Sequence, residues 1–522
     1  MPSINRKRIV KNTGFLYFRM LLTMMVSLYT SRVVLKVLGV EDFGIYGIVC
    51  GVSTLFVFLN SAMSGSTSRF FTVELGRDNR ERLQKTFSTA LTLHLLIALI
   101  VLVLGETIGL WLLENKLNIP ADRMYAARWV YHLSLFFTIA NIIRVPYNAV
   151  IIAHEKMSFY AYTEILYVLM KLGIVYILLV VNMDKLILYA SLMFVVTFIL
   201  LGVYMWYCLW KFSECRYKWG WDKGILYPML KFSIWDTYGS LGGMARTQGV
   251  DILLNIFFGP IFNAASSLAM QVQGTVMAFG TNVLTAVRPQ IIKTYAAGEF
   301  ENTRYLVFNA SKFTYLLMLA LSLPLVLEMD YVLTLWLGIV PDYGALFCRL
   351  MLVFNLFYVM MIPLSGAIHA TGRIKWMNLV NGTIYMLVIP ITWVAFHYGA
   401  PPERPYVINI IAIIITLFTS MLILKKNMPV FQLKIFVFKV LCLCLLITVI
   451  ASALSVFVQY FFTQGFIRLL IVTLTSTLAI GLCTWTMAVN KSMKIVLINR
   501  GLDYVKEMGR KLKRHPNESK KS

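Results

Sequence analysis

Apolar runs of about 20 residues recur along the whole chain, broken by short polar joints. Each run is as long as a helix needs to be to cross a hydrocarbon core. Fourteen spans are expected, at about 13–38, 43–65, 87–109, 125–147, 158–181, 186–210, 232–257, 262–286, 305–328, 345–367, 376–398, 406–424, 435–459 and 467–489. The longest polar segment is the stretch after about 490, expected as a basic amphipathic surface helix followed by disorder, so no soluble domain fits between the spans. The pattern predicts an all-α polytopic membrane protein.

Composition agrees. The 522 residues are 59% hydrophobic and 14% charged, where a soluble protein would be nearer a quarter charged. The formal charge of +24 invites a nucleic-acid reading. Its distribution argues against one: about 33 Lys and Arg fall in alternate joints and the two tails, and about 4 in the others. This bias puts both termini in the cytoplasm, and no nucleic acid is expected as a partner. The basic start "MPSINRKRIVKN" leads into a long span without a small-residue cleavage site, so it reads as an uncleaved first helix. Seven scattered cysteines include no CxxC pair. There is no GxxxxGK[ST] and no HExxH, so neither a P-loop ATPase nor a zincin is written here, and no cofactor or metal is expected.

Two stretches resemble two later ones at an offset of about 217. "VPYNAVIIAHEKMSFY" from 145 lies opposite "IPLSGAIHATGRIKWM" from 362, and "LKVLGVEDFGIYGIVCGVSTLF" from 35 opposite "LNIFFGPIFNAASSLAMQVQGTV" from 254. The expected domains are a six-helix lobe over 1–210, a second over 211–424, an appended helix pair over 425–489 and a basic tail over 490–522. Two lobes that start on the same side are parallel repeats about an axis along the membrane normal.

Charges inside the spans are the candidate chemistry, because buried ionisable groups face a bundle interior or a water-filled cavity. The seventh span, "FSIWDTYGSLGGMARTQGVDILLNIFFG", carries Asp236, Arg246 and Asp251. It reads as a cavity-lining helix or as one locked by a buried Arg246–Asp251 pair. Glu164 and Lys171 in the fifth span are seven apart and share a face, facing a cavity or pairing with neighbouring helices. Arg32 and Lys36, four apart near the end of the first span, either snorkel to Glu41 and Asp42 or present positive charge to an anionic substrate. Arg144 and Lys156 flank Pro146, and Arg373 follows Pro363; such loops set topology or meet a headgroup.

The segment "SRVVLKVLGVEDFGIY", with Arg32, Leu38, Gly39, Phe43, Gly44 and Tyr46 in an Arg…LG-x-x-x-[FY]-G-x-Y pattern, resembles the polysaccharide-exporter branch of the multidrug/oligosaccharidyl-lipid/polysaccharide (MOP) superfamily. "ILLNIFFGPIFNAA" and "ATGRIKWM" look like the matching signals of the second lobe. The resemblance implies a flippase, not an enzyme, in a bacterial inner membrane. It would move undecaprenyl-diphosphate-linked oligosaccharide between leaflets by alternating access, for O-antigen or capsule synthesis, beside glycan-assembly enzymes. Arg32, Lys36, Arg246 and Lys171 would be the substrate-facing cations. Arg144, Lys156 and Arg373 would receive the headgroup. Asp236, Asp251 and Glu164 would be the acids for H+ or Na+ coupling. A multidrug exporter or lipid II flippase of the same superfamily is the alternative, and a membrane polymerase or ligase the alternative of another class.

Overall fold

The computed structural model describes residues 6–55, 67, 70–71, 74–75, 80–154, 156–218, 220, 222–489 and 494. The second half of the second expected span, the expected surface helix after 490 and the side chain of Asp236 lie outside the described residues.

The first helix, α1, runs Arg6–Thr54 and breaks at Gly39, where φ is 80° and ψ 169°. Only glycine occupies that region at little cost. The sequence joint at 39–42 is therefore a corner within one long helix. There follow α2 (Arg80–Asn115), α3 (Met124–Ala153), α4 (Met157–Val180) and α5 (Lys185–Lys211). Then comes α6, which begins as Lys223–Met244, passes through a π-helical turn at Ala245–Gly249 and ends as Val250–Phe258. The second corner is Gly259, with φ 88° and ψ −178°, and it opens α7 (Pro260–Ala296). The proline at the first position of α7 lacks only an N–H that would have gone unpaired. After α8 (Phe300–Leu327) and the short α9 (Met329–Leu337) come α10 (Gly344–Ala370), α11 (Lys375–His397), α12 (Arg404–Asn427), α13 (Leu433–Tyr460) and α14 (Phe466–Ala488). No strand occurs among the described residues.

Ten described helices are long and apolar enough to cross a membrane: α2–α5, α8 and α10–α14. Their outward faces carry exposed Leu, Ile, Val and Phe, such as Leu99, Leu179, Leu422 and Leu474, as lipid contact requires. This is a multi-pass helical membrane protein. The expected fourteen crossings need α1 to count twice, and α6 and α7 to cross as well. Of these, α6 and α7 are long enough but more polar, α6 carrying Arg246, Gln248 and Asp251, while the arm of α1 after Gly39 is described as helix only to Thr54.

Helices α1–α5 pack on one another, with α1 against α3 and α4 and α3 against α2 and α5. Helices α7, α8, α10 and α12 share a separate core, with α6 packed on α11. Between the two sets, α1 lies along α7 and also meets α6 and α9. Two interior prolines match the sequence repeat: Pro146 and Pro363 each stand seven residues before the last residue of their helices, Ala153 and Ala370.

The last two helices are clamped onto α8 at both ends. At one end, Lys312 Nζ donates to the Ala488 carbonyl at 2.8 Å, meeting an orphan acceptor at the close of α14. At the other, fully buried Glu328 accepts from Arg468 Nη2 at 2.8 Å and from Gln459 Nε2 at 3.0 Å. Removing one partner of a buried ion pair strands the other and costs about 3–5 kcal/mol. Arg468→Ala should therefore lower the thermal unfolding midpoint by several degrees, and Arg468→Ala/Glu328→Gln should recover most of the loss. Equal midpoints for Arg468→Ala and the parent would remove the clamp from the account.

Candidate functional site

The arrangement is built from α1, α4 and α7. A cavity of about 290 Å³ lies between them, with Thr23 and Ser27 from α1, Glu164, Tyr167 and Lys171 from α4, and Gly274 and Thr275 from α7. Seven-residue spacing sets Glu164 and Lys171 on one face of α4, as the sequence implied. No ion pair joins either to another residue among the described residues. Lys171 Nζ stands 5.4 Å from the Tyr167 ring centroid, a cation–π contact.

A second cavity, of about 140 Å³, begins on the other side of Glu164 and Tyr167, which line both. It runs between α3, α4 and α5 and is walled by Asn141, Arg144, Thr163, Thr197 and Tyr204. Arg144 stands 5.4 Å from the Tyr204 ring centroid. The structure thus sets three residues singled out in two spans, Arg144 from α3 and Glu164 and Lys171 from α4, in the walls of two neighbouring cavities. Sequence spacing could not have shown this for Arg144, because the contact is made across helices.

Arg246 lies elsewhere. It sits in the π-helical turn of α6, 9% exposed, with its guanidinium 4.4 Å from the Phe354 ring centroid and 5.4 Å from that of Tyr385. Its Nε has no hydrogen-bond partner, and no carboxylate pairs with it among the described residues. Asp251 instead accepts from Ser266 Oγ, and its backbone carbonyl accepts from Asn263 Nδ2 at 2.8 Å. The buried Arg246–Asp251 pair considered from the sequence is absent. The two are five residues apart, which on a regular helix would set them well apart in angle.

Arg32 and Lys36 are exposed and share a face of α1 with Met25 and Tyr29. Helical periodicity puts that face opposite Thr23 and Ser27, so these two cations point away from the α1–α4–α7 cavity. Asp42, expected to receive them, is held instead by Arg123, whose Nε donates to Asp42 Oδ1 at 2.8 Å and whose Nη1 donates to Asp184 Oδ2 at 2.7 Å. For Asp184, burial works against ionisation, but the Arg123 hydrogen bonds and the N–H groups at the start of α5 hold its carboxyl below the usual range. Lys156 is exposed just before α4, and Arg373 is exposed in the turn after α10.

At the Gly39 and Gly259 corners the two helix sets close on each other, through Gly44 of the sequence pattern and through asparagines the sequence did not flag. A Cβ on Gly44 would lie 2.0 Å from the Pro260 carbonyl oxygen, so only glycine permits this approach. Beside it, the Asn118 N–H donates to Asn255 Oδ1 at 2.6 Å and Asn255 Nδ2 donates to Asn263 Oδ1 at 2.9 Å. Asn255 and Asn263 are both buried. Trp336 Nε1 donates to the Leu28 carbonyl at 2.8 Å, and Gln271 Nε2 to Ser31 Oγ at 2.6 Å. Thr23 and Ser27 lie 12–16 residues from Gly39, roughly 20 Å along the helix, so the cavity begins just beyond the Leu28 and Ser31 contacts, on the side away from the corners.

Two packed helix sets, closed at one end with a polar cavity between them, have the architecture of a two-lobed transporter. The comparisons agree. The family model MatE matches residues 16–177. The fold is similar to that of the lipid II flippase MurJ in an inward closed conformation, with TM-score 0.67 and 13% identity, covering 91% of this chain and 98% of that one. It is also similar to an inward-facing multidrug resistance MATE family transporter of the MOP superfamily, with TM-score 0.62 and 13% identity, covering 78% and 98%. The multidrug transporter DinF-BH in complex with R6G gives TM-score 0.59 and 13% identity, covering 80% and 96%. No curated protein matches the chain in sequence. The family match and the shared fold together support membership of the MOP superfamily.

Proposed function

We propose that this protein is a flippase that carries a polyprenyl-diphosphate-linked oligosaccharide from the inner to the outer leaflet of a bacterial inner membrane, with both termini in the cytoplasm. Residues 1–210 and 211–424 are the two lobes, related by the repeat that the corners Gly39 and Gly259 and the prolines Pro146 and Pro363 support. The closed end is the outer one, and the cavity takes the headgroup from the cytoplasmic side while the lipid tail stays in the bilayer. The polysaccharide-exporter branch fits the sequence signature around Arg32–Tyr46.

The observation that carries this reading is the α13–α14 pair fixed to α8 by Lys312 and Glu328. The lipid II flippase fold covers 91% of the chain and the multidrug transporter folds about 78–80%; the difference is about the length of that pair. Chemistry supports it too. At an effective dielectric of about 20, a charge pair 4 Å apart is worth about 4 kcal/mol, so Lys171 and Arg144 in the cavity walls and the separately buried Arg246, none of them ion-paired among the described residues, suit a diphosphate. A neutral sugar alone would gain nothing from them. The acid Glu164 between the two cavities is the best-placed group for H+ or Na+ coupling; Asp251 is tied to Ser266.

The second reading, a multidrug exporter, is favoured by the MatE match and by Glu164 in the cavity wall. A single substitution separates the two. Lys171→Met should lower transfer of the lipid-linked glycan about tenfold or more, and Lys171→Arg should keep most of it, in proteoliposomes matched for folded protein. Arg32→Ala and Lys36→Ala should each cost less. Unchanged glycan transfer in Lys171→Met, with faster efflux of a cationic dye, would favour the exporter.

A further inference from the structure

A cavity of about 500 Å³ opens between the first turns of α2 and the segment joining α5 to α6. That segment is the covalent link between the two helix sets. It is strapped to α2: Gln84 Nε2 donates to the Arg216 carbonyl at 2.8 Å, the Lys218 N–H to Ser88 Oγ at 3.1 Å, and the Asp222 N–H to Thr89 Oγ1 at 3.1 Å.

The charges around this cavity are unequally engaged. Its acids are committed, Glu81 to Lys85 at 2.9 Å and Asp222 to the Gly224 N–H at 2.7 Å as the cap of α6. Its cations Lys218 and Lys223 have no ion-pair partner among the described residues. Ser88 and Thr89 accept the two backbone N–H groups, so each hydroxyl still has a proton to donate. The cavity therefore offers two ammonium groups and two hydroxyl donors beside the positive end of a long helix, a set that suits a phosphate.

The depth is marked by α5. Trp206 and Trp210, 64% and 69% exposed, stack at 5.9 Å on its last two turns, with Lys211 Nζ 5.6 Å from the Trp210 ring. Exposed tryptophans beside a lysine belong at the membrane–water interface, which sets the adjoining segment at headgroup level.

We propose that this cavity binds the phosphate of an anionic membrane lipid, apart from the transport cavity, and that the bound headgroup holds the link between the helix sets against α2. The inference does not rest on the identity of the cargo.

The test uses the full chain in detergent, with dioctanoyl phosphatidylglycerol as probe and thermal unfolding and native mass spectrometry as readouts. Phosphatidylglycerol should raise the unfolding midpoint, and Lys218→Gln/Lys223→Gln should need about tenfold more lipid for the same rise. Lys425→Gln/Lys426→Gln, at the far end of α12, should respond like the parent. Dioctanoyl phosphatidylethanolamine and inorganic phosphate should leave the midpoint unchanged. An equal lipid response in the Lys218/Lys223 variant would overturn the proposal. So would a full response to inorganic phosphate alone, which would assign the site to a soluble phosphate. Unfolding without lipid checks that the variant is folded; if it is not, Lys218→Gln alone is judged by the same criterion at about threefold.

Discussion

Arg246→Met is expected to leave the folded protein as stable as the parent, or more so, while lowering transfer of a lipid-linked glycan at least tenfold. The stability half follows from burial. Arg246 is 9% exposed, its Nε is unpaired and no carboxylate meets it among the described residues. An uncompensated buried charge costs several kcal/mol, against which the contacts with Phe354 and Tyr385 return roughly 2 kcal/mol or more each when desolvated. Methionine keeps the volume and the aromatic contact and discards the charge. The transport half follows from the proposal that this charge is kept for an anion. Thermal unfolding and transfer, measured on the same preparation, check both halves. A destabilised variant would make Arg246 a structural residue, and a stable variant with full transfer would remove it from the substrate path.

Gly44→Ala is expected to abolish transport by a different route. The added methyl would stand 2.0 Å from the Pro260 carbonyl oxygen, and a backbone oxygen cannot rotate aside as a side chain can. The closed contact at the Gly39 and Gly259 corners would then be unreachable, and alternating access needs that closure in each cycle. Spin labels at the exposed positions Glu41 and Ile261 should report a longer distance in the variant than in the parent, with transfer reduced at least tenfold. Gly202→Ala in α5, with open space around its Cβ, serves as the control. Parental distances and parental transfer in Gly44→Ala would mean that this contact is not part of the cycle.

These two residues also show how far the sequence could be read. Apolar run length sufficed to locate the long helices, because crossing length is a one-dimensional property. The glycine corners were visible as the "VLGVED" and "FFGPIF" joints, though not their shared backbone conformation. Arg246 was legible as an oddity in an apolar span. Its isolation was not, because its neighbours Phe354 and Tyr385 come from α10 and α11, more than 100 residues away. The four-residue spacing of Arg32 and Lys36 gave their common face but not its direction, which depends on how α1 packs against α4 and α7. Asp42 turned to Arg123 for the same reason. Glu328 and Arg468 carried a signal that could have been used, since each is a lone charge at the end of an expected span and the two are of opposite sign. The asparagines Asn118, Asn255 and Asn263 carried none, because neutral amides raise no alarm in a hydropathy pattern.

The most direct measurement of the central claim is leaflet transfer in proteoliposomes. A short-chain polyprenyl-diphosphate oligosaccharide is placed in the inner leaflet, and its exposure to an external glycosidase is followed for the parent, Lys171→Met and Arg246→Met. Transfer by the parent and its loss in both variants are expected. Absence of transfer for several glycans, beside efflux of a cationic dye that both variants retain, would contradict it.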